Sequence, residues 1–337
     1  MRKAEKPRFE LRNNESADTS LNLIQGKVLS YYKRIRYVSK RWYGQWRFFS
    51  PKIAICDFLV TTVLRKSNGR LKHFLNFCLY NKAKDVVAQR EAHVIEKWKR
   101  NPKTNEKIAQ NGMIFLFWWQ GLNDAPILIK ECVSVIRQNA GKHDVIIIDK
   151  DNWRQYTYIP DYILKKMEAG TINFTLFSDI LRCCLLYEYG GIWIDPTCYL
   201  TKEFDDEIYD KYFYSIKHGD AWEHPICKGF WATFFIAAGK HNSLIGFMKD
   251  MFFEYWKTES VFVVYLSLDL FLSIAYDTLP YAKEMIDNVP MNNEHRDDLR
   301  KLLIKNKGIG FDELMNQVDS ETYIHKLTYK MFIERFS

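Results

Sequence analysis

No apolar run in this 337-residue chain exceeds seven residues, and the longest is Met113–Trp119. A membrane-spanning helix needs about 20, so no crossing segment is expected. The first 26 residues alternate charges, Asn and Ser with single hydrophobes, and they lack the apolar stretch of about 7–15 residues that a secretory signal requires. That pattern predicts a cytoplasmic protein. Cys-x-x-Cys pairs are also missing: the seven cysteines, at 56, 78, 132, 183, 184, 198 and 227, are odd in number and lie in apolar surroundings. They read as reduced, buried thiols rather than a disulfide framework or a zinc site. The chain is 47% hydrophobic, within the globular range, which excludes disorder as the main state.

Acidic residues are absent between Thr19 and Cys56, where eight bases stand: Lys27, Lys33, Arg34, Arg36, Lys40, Arg41, Arg47 and Lys52. Residues 1–110 carry 25 basic and 9 acidic side chains, whereas the remainder carries 24 and 32, so a net charge of +8 conceals a basic front and an acidic body. Tyr31, Tyr32, Tyr37, Trp42, Tyr43, Trp46, Phe48 and Phe49 are interleaved with the bases. Rings favour the boundary between water and lipid, and bases are drawn to anionic headgroups at about 1 kcal/mol each. A membrane-surface role for residues 19–56 is therefore expected. Packing against a neighbouring domain and stacking on single-stranded nucleic acid stay open on composition alone, but no motif with base-reading geometry is present.

The spacing divides the chain into a flexible N-terminus (1–20), a helical, basic and aromatic accessory region (21–107) and an α/β domain (108–337). Few turn residues interrupt the hydrophobes of the accessory region, which predicts several short helices. After Asn111-Gly112 the run Met113–Trp119 predicts a buried strand. A helix ending near Asn139 and a second apolar strand, Asp144–Asp149, follow. Fully apolar strands joined by a helix predict a parallel sheet covered on both faces. In such sheets ligands bind outside the carboxyl ends of the strands.

Residues 173–200 read NFTLFSDILRCCLLYEYGGIWIDPTCYL. A helix over Phe177–Tyr189 is predicted to stop at Gly190-Gly191, because glycine adopts left-handed dihedrals cheaply, and Ile192–Ile194 then forms a short strand with Asp195 at its tip. Asp179 and Arg182, three apart, share one helix face. A carboxylate at a strand tip can hold a divalent cation, and a guanidinium fork suits phosphate or sugar oxygens. On spacing alone, a surface ion pair and a simple Asp195-Pro196 turn remain equal alternatives.

Ser178-Asp179-x-x-Arg182 followed by Tyr189-Gly190-Gly191-x-Trp193-x-Asp195 resembles the sugar-nucleotide motif of glycosyltransferase family 32 and its relatives, the bacterial capsular polysaccharide synthesis proteins and the clostridial glucosylating toxins. Ile324-His325-Lys326-Leu327-Thr328-Tyr329-Lys330 is similar to the end of the capsular branch. The segment Phe230–Lys240, the Tyr255-Trp256 pair and Tyr265–Phe271 fall in family order. The resemblance spans roughly residues 108–337.

It implies a GT-A-type nucleotide-sugar-binding sandwich and a retaining enzyme that uses a divalent cation (Mn²⁺ or Mg²⁺) to hold the diphosphate of a donor sugar, UDP-linked by expectation. It implies catalytic roles for Asp179, Arg182 and Asp195, with Asp179 and Arg182 on the donor sugar. Asp195 and His325 are the expected metal ligands, Lys326 and Lys330 face the diphosphate, and Trp118 and Trp193 line the donor pocket. Asp269, a lone polar residue on an apolar helix expected over Val261–Ala275, and Trp231 are the acceptor-side candidates. Thr197 stands where family 32 generally has a second Asp, which weakens the metal site. The expected acceptor is a lipid-linked or growing surface polysaccharide, capsular or lipopolysaccharide, at the inner face of the cytoplasmic membrane. The alternatives are a protein acceptor, as in the toxins, and a non-catalytic membrane or nucleic-acid binding protein that keeps the fold.

Overall fold

The structure is a computed structural model, and it describes residues 35, 38–102, 105–306 and 310–329. Its centre is a five-stranded mixed sheet built from β1 (Met113–Phe117), β2 (Asp144–Ile148), β3 (Gly191–Ile194), β5 (Phe213–Ser215) and β6 (Phe235–Ala238), in the order β2-β1-β3-β6-β5. β1 pairs in parallel with β2 and with β3, while β6 runs antiparallel to both β3 and β5. The wholly parallel sheet expected from the apolar runs is thus only half of the sheet. The continuous apolar pattern of β1 matches its central place, with Ile114, Phe115 and Leu116 fully buried. β2 lies at the edge, so of its apolar residues only Ile148 is fully enclosed. Because the chain leaves β1 for β2 on one side and returns to β3 on the other, a crevice opens at their carboxyl ends.

The helix before β3 runs Phe174–Tyr189. It starts three residues earlier than its apolar pattern suggests because the side chain of Asn173 accepts from Leu176 N at 2.9 Å and caps it. Gly190 and Gly191 stop it with φ of +68° and +91°. At Gly191 a Cβ would stand 2.3 Å from the carbonyl oxygen of Met113, so the glycine pair both ends the helix and lets β3 close on β1.

β4 (Cys198–Leu200) and β7 (Ile324–Lys326) form a separate antiparallel ribbon that pairs Cys198 with Lys326 and Tyr199 with His325. This ribbon brings the far end of the chain beside the segment that follows Asp195. The seven cysteines are free, and all but Cys78 are buried.

In the accessory region the described elements are a π-helical turn Gln45–Phe49, helix Pro51–Phe58, a second π turn Leu59–Val63, and helices Arg70–Arg90 and Ala92–Arg100. The long Arg70–Arg90 helix replaces the short ones expected there. Ile53, Leu79, Ala83, Val87 and Trp98 belong to the same hydrophobic core as the sheet. Polar ties reinforce the join, among them Trp98 Nε1 to Asp250 at 2.8 Å and Gln45 Nε2 to the carbonyl of Val263 at 2.7 Å.

The latter tie explains a second difference. The expected helix over Val261–Ala275 begins only at Ser267 and ends at Thr278. The Tyr255 hydroxyl donates to the carbonyl of Val261 and accepts from Val263 N, so residues 261–263 spend backbone groups on tertiary partners that a helix would need for itself. Among the described residues, no helix is long and apolar enough to cross a membrane.

Candidate active site

Asp195 follows β3 at the crevice, its backbone held by Asp195 N donating to the carbonyl of Phe234 at 2.8 Å. Each of its carboxylate oxygens is engaged. Oδ1 accepts from Trp193 Nε1 at 3.1 Å and from Arg182 Nη2 at 3.3 Å. Oδ2 accepts from Lys326 Nζ at 2.7 Å, and the same ammonium donates to Thr197 Oγ1 at 2.7 Å. Burial alone would raise the carboxyl pKa of Asp195, but the charges of Lys326 and Arg182 outweigh it and hold the group below the ordinary carboxylate range. Burial would likewise lower the pKa of Lys326, yet Asp195 outweighs it and keeps the ammonium charged.

Arg182 is 3% exposed. Its guanidinium lies 4.7 Å from the Trp193 ring centroid, donates to the carbonyl of Thr233, and approaches Asp179 Oδ1 at 3.5 Å. Burial raises the carboxyl of Asp179 to about 7, helped by the nearby charges of Asp269 and Asp195 and opposed by Arg182. Asp269 is pushed up to about 6 by burial, while the hydrogen bond from Trp231 Nε1 at 2.9 Å pulls the other way. Asp179, Arg182, Asp195, Lys326, Asp269 and Trp231, which the sequence separates by up to 147 positions, therefore converge on one region.

A cleft of about 350 Å³ reaches this cluster at Trp231, Asp269 and Lys326, whereas Asp179, Arg182 and Asp195 do not line it. Several lining residues had no signal in the sequence. Asn76 and Tyr80 come from the Arg70–Arg90 helix, so the accessory region supplies one wall. Arg296 and Arg300 add two cations to the lining. His218 and His224 also line the cleft, and burial, with the charge of Arg296, keeps both imidazoles neutral, His218 down to about 3. None of these positions shows a periodicity or spacing that marks it.

Two of the expected site residues, His325 and Trp193, are enclosed. His325 is fully buried, in the strand position next to Lys326. Successive strand residues face opposite ways, so its ring points away from Asp195, and burial lowers its pKa to about 4. It is a neutral core histidine, not a partner of Asp195 in holding a metal. Trp193 is 1% exposed, so it supports Arg182 and Asp195 from within rather than lying against a donor. Trp118 sits at the carboxyl end of β1, edge-on to Tyr329 at 5.5 Å between centroids. Lys330 lies outside the described residues.

The residues around Asp195 do not suit a divalent ion. The position that would supply a second carboxylate is Thr197, a buried hydroxyl, and the ammonium of Lys326 already lies between the two side chains. An ion bound there would displace one cation and stand near another, at a repulsion on the order of 4 kcal/mol per pair of unit charges about 4 Å apart. Among the described residues, a different group has the ligand types for a metal: Asp220, Glu223 and His224, with ligand atoms within 4.8 Å of one another. Arg296 Nη2 is 3.0 Å from the Nε2 of that histidine.

The raised carboxyl of Asp179 makes a pH prediction. A carboxyl whose folded pKa lies above its unfolded value favours folding below the unfolded value and loses that advantage as pH rises through the folded one. The buried histidines act in the opposite sense, so the informative quantity is a difference between proteins. Between pH 5 and 8 the Tm of Asp179→Asn is expected to climb relative to wild type, with most of the change below about 7. Parallel Tm curves would return Asp179 to an ordinary carboxyl.

A family model described as capsular polysaccharide synthesis protein matches residues 56–337. No curated protein matches the chain. Among solved structures it is similar to one titled PaToxG Glycosyltransferase, with 18% identity and a TM-score of 0.39, over 73% of this chain and 98% of that one.

Proposed function

The chain belongs to the capsular polysaccharide synthesis protein family, and from that premise we propose that it is a glycosyltransferase, of GT-A type, moving a sugar from a nucleoside-diphosphate donor to a surface polysaccharide acceptor. The observation that carries this reading is the meeting of Arg182 and Lys326 on Asp195 at the carboxyl end of β3. Lys326 in the cleft wall and the buried Arg182, both fixed on Asp195, suit a leaving diphosphate, whose negative charge grows as the bond to the sugar breaks. The bond between the anomeric carbon and the phosphate oxygen breaks, its electron pair stays on the diphosphate, and the acceptor hydroxyl oxygen bonds to that carbon. The acceptor proton passes to Asp269, whose carboxylate form predominates above about 6. Asp179 accepts hydrogen bonds from the sugar hydroxyls. A panel of nucleotide sugars, each incubated with the purified protein and assayed for hydrolysis, tests the reading. Hydrolysis of at least one donor is expected, and none from any donor would leave a non-catalytic protein on this fold.

The acceptor is lipid-linked in this proposal, and the enzyme works as a peripheral protein on the inner face of the cytoplasmic membrane. Ten of the 21 large hydrophobic residues exposed among the described residues fall between Ile35 and Phe77. Trp42, Tyr43, Trp46, Ile55 and Phe58 line an apolar groove there. Lys40, Arg47, Lys52, Arg65, Lys66 and Arg70 are exposed in the same stretch of chain, and the one acid between residues 38 and 84, Asp57, is buried against Arg41 at 2.7 Å. Arg41 is thus spent internally and is not free for headgroups, contrary to its place among the expected lipid-facing bases. Lys27, Lys33, Arg34 and Arg36 lie outside the described residues. Leu71, Phe74 and Phe77 form an exposed stripe on the same helix whose Asn76 and Tyr80 line the cleft, so a lipid-anchored sugar would arrive beside the site.

Flotation with vesicles containing anionic lipid is expected at 0.1 M salt. It should weaken at 1 M, where the screening length falls from about 10 Å to about 3 Å. Replacing Trp46, Val63, Phe74 and Phe77 together by Ser should abolish it while donor hydrolysis stays unchanged. Flotation that survives those changes would remove this face from the reading.

A further inference from the structure

We propose that Lys326 is a built-in replacement for the divalent cation, so that the protein binds a nucleoside diphosphate without metal. The inference rests on the donor reading above and concerns how that same site neutralises the diphosphate. The ammonium occupies the place between residues 195 and 197 where a two-carboxylate motif would grip an ion, at 2.7 Å from Asp195 Oδ2 and 2.7 Å from Thr197 Oγ1. The hydroxyl at 197 accepts from the ammonium, and it offers a divalent cation no second negative charge to replace the one a carboxylate would supply.

The charges agree with this assignment. Arg182 and Lys326 contribute two positive charges around the one carboxylate held below its ordinary range, Asp195, while the second carboxylate, Asp179, is pushed up to about 7. Asp195 is therefore already matched by two cations with no ion present. An ion added at Asp195 would have to push Lys326, whose side chain is 19% exposed, off Oδ2 and leave its ammonium without that partner. Placement by the ribbon explains why this cation comes from so distant a position. Cys198 faces Lys326 across the β4–β7 pair, three residues past Asp195, and strand alternation turns Lys326 toward Asp195 while it turns His325 into the core. The chain end thus delivers a fixed charge where a relative with two aspartates would recruit a mobile one.

Calorimetric titration with UDP, GDP, ADP, CDP and dTDP, each in EDTA and each in Mn²⁺, tests this on the whole chain. At least one diphosphate is expected to bind in EDTA with an affinity within about twofold of that in Mn²⁺. Binding seen only with Mn²⁺ would overturn the inference and leave the donor reading standing. No binding of any diphosphate in either condition would overturn both.

Lys326→Met should weaken metal-free binding roughly 10- to 100-fold, the usual range for a lost hydrogen bond to a charged group, whereas Lys326→Arg, which keeps the charge and the buried partner, should retain most of it. Equal affinity in Lys326→Met and wild type would overturn the inference. The double change Thr197→Asp with Lys326→Met rebuilds the two-carboxylate pattern, and its affinity should rise at least tenfold on adding Mn²⁺. No rise would show that the ammonium and an ion do not compete for one position, and would overturn it as well.

Discussion

Changing Asp195 to Asn is expected to cut sugar transfer by roughly 10²–10³-fold, the range seen when one preorganised electrostatic group is lost from a catalytic site. The substitution keeps the shape of the side chain and the acceptor at Oδ1 but removes the negative charge that holds Arg182 on one oxygen and Lys326 on the other. Without that charge the two cations repel each other. Each then turns toward another partner, Arg182 toward Asp179 and the Thr233 carbonyl and Lys326 toward Thr197. The expected signature is a fall in kcat in a protein whose circular dichroism and elution volume match wild type. Turnover within a factor of two of wild type would exclude Asp195 from the reaction.

Arg182 should show the second large effect, and two substitutions separate its roles. Arg182→Met removes the buried counter-charge shared by Asp179 and Asp195, and breaking such a pair from one side typically costs about 3–5 kcal/mol of stability. Arg182→Lys keeps the charge. A lysine has no planar fork, however, and cannot reach the Thr233 carbonyl and both carboxylates while lying over Trp193. Its stability should fall less than that of the Met variant, while kcat/KM drops roughly 10- to 100-fold. Urea unfolding and steady-state donor hydrolysis read the two effects independently. A Lys variant with wild-type kinetic constants would reduce Asp179 and Arg182 to a structural ion pair.

How much of this was legible beforehand differs from element to element. The body of the helix before β3, its glycine stop and the strand were readable, because such local events have signals within a few residues of the structure they cause, while the Asn173 cap that starts the helix three residues earlier was not read. The glycines had one further reason that the sequence did not show, the approach of Gly191 to the Met113 carbonyl. The Val261–Ala275 stretch misled for the converse reason: its pattern is helical, but Gln45 and Tyr255 hold residues 261–263 in another conformation. His325 and Trp193 carried the chemistry of ligands, yet exposure decides such roles, and both are sealed in the core. Asn76, Tyr80, Arg296 and Arg300 were invisible because a cleft wall assembled from five separate parts of the chain has no period.

What the sequence determined by itself is what depends on near neighbours: the apolar β1, the helix and glycine stop before β3, the Asp179–Arg182 spacing, the acid-poor aromatic front, and the motif that points to sugar nucleotides. What the tertiary structure decided is which of those charges meet. Lys326 lies 131 positions from Asp195, and only the pairing of β7 with β4 sets its ammonium between the carboxylate and Thr197. Coulomb interactions fall with distance and grow with burial, so the charge balance at the mouth of β3 is a property of packing, and no count of residues along the chain contains it.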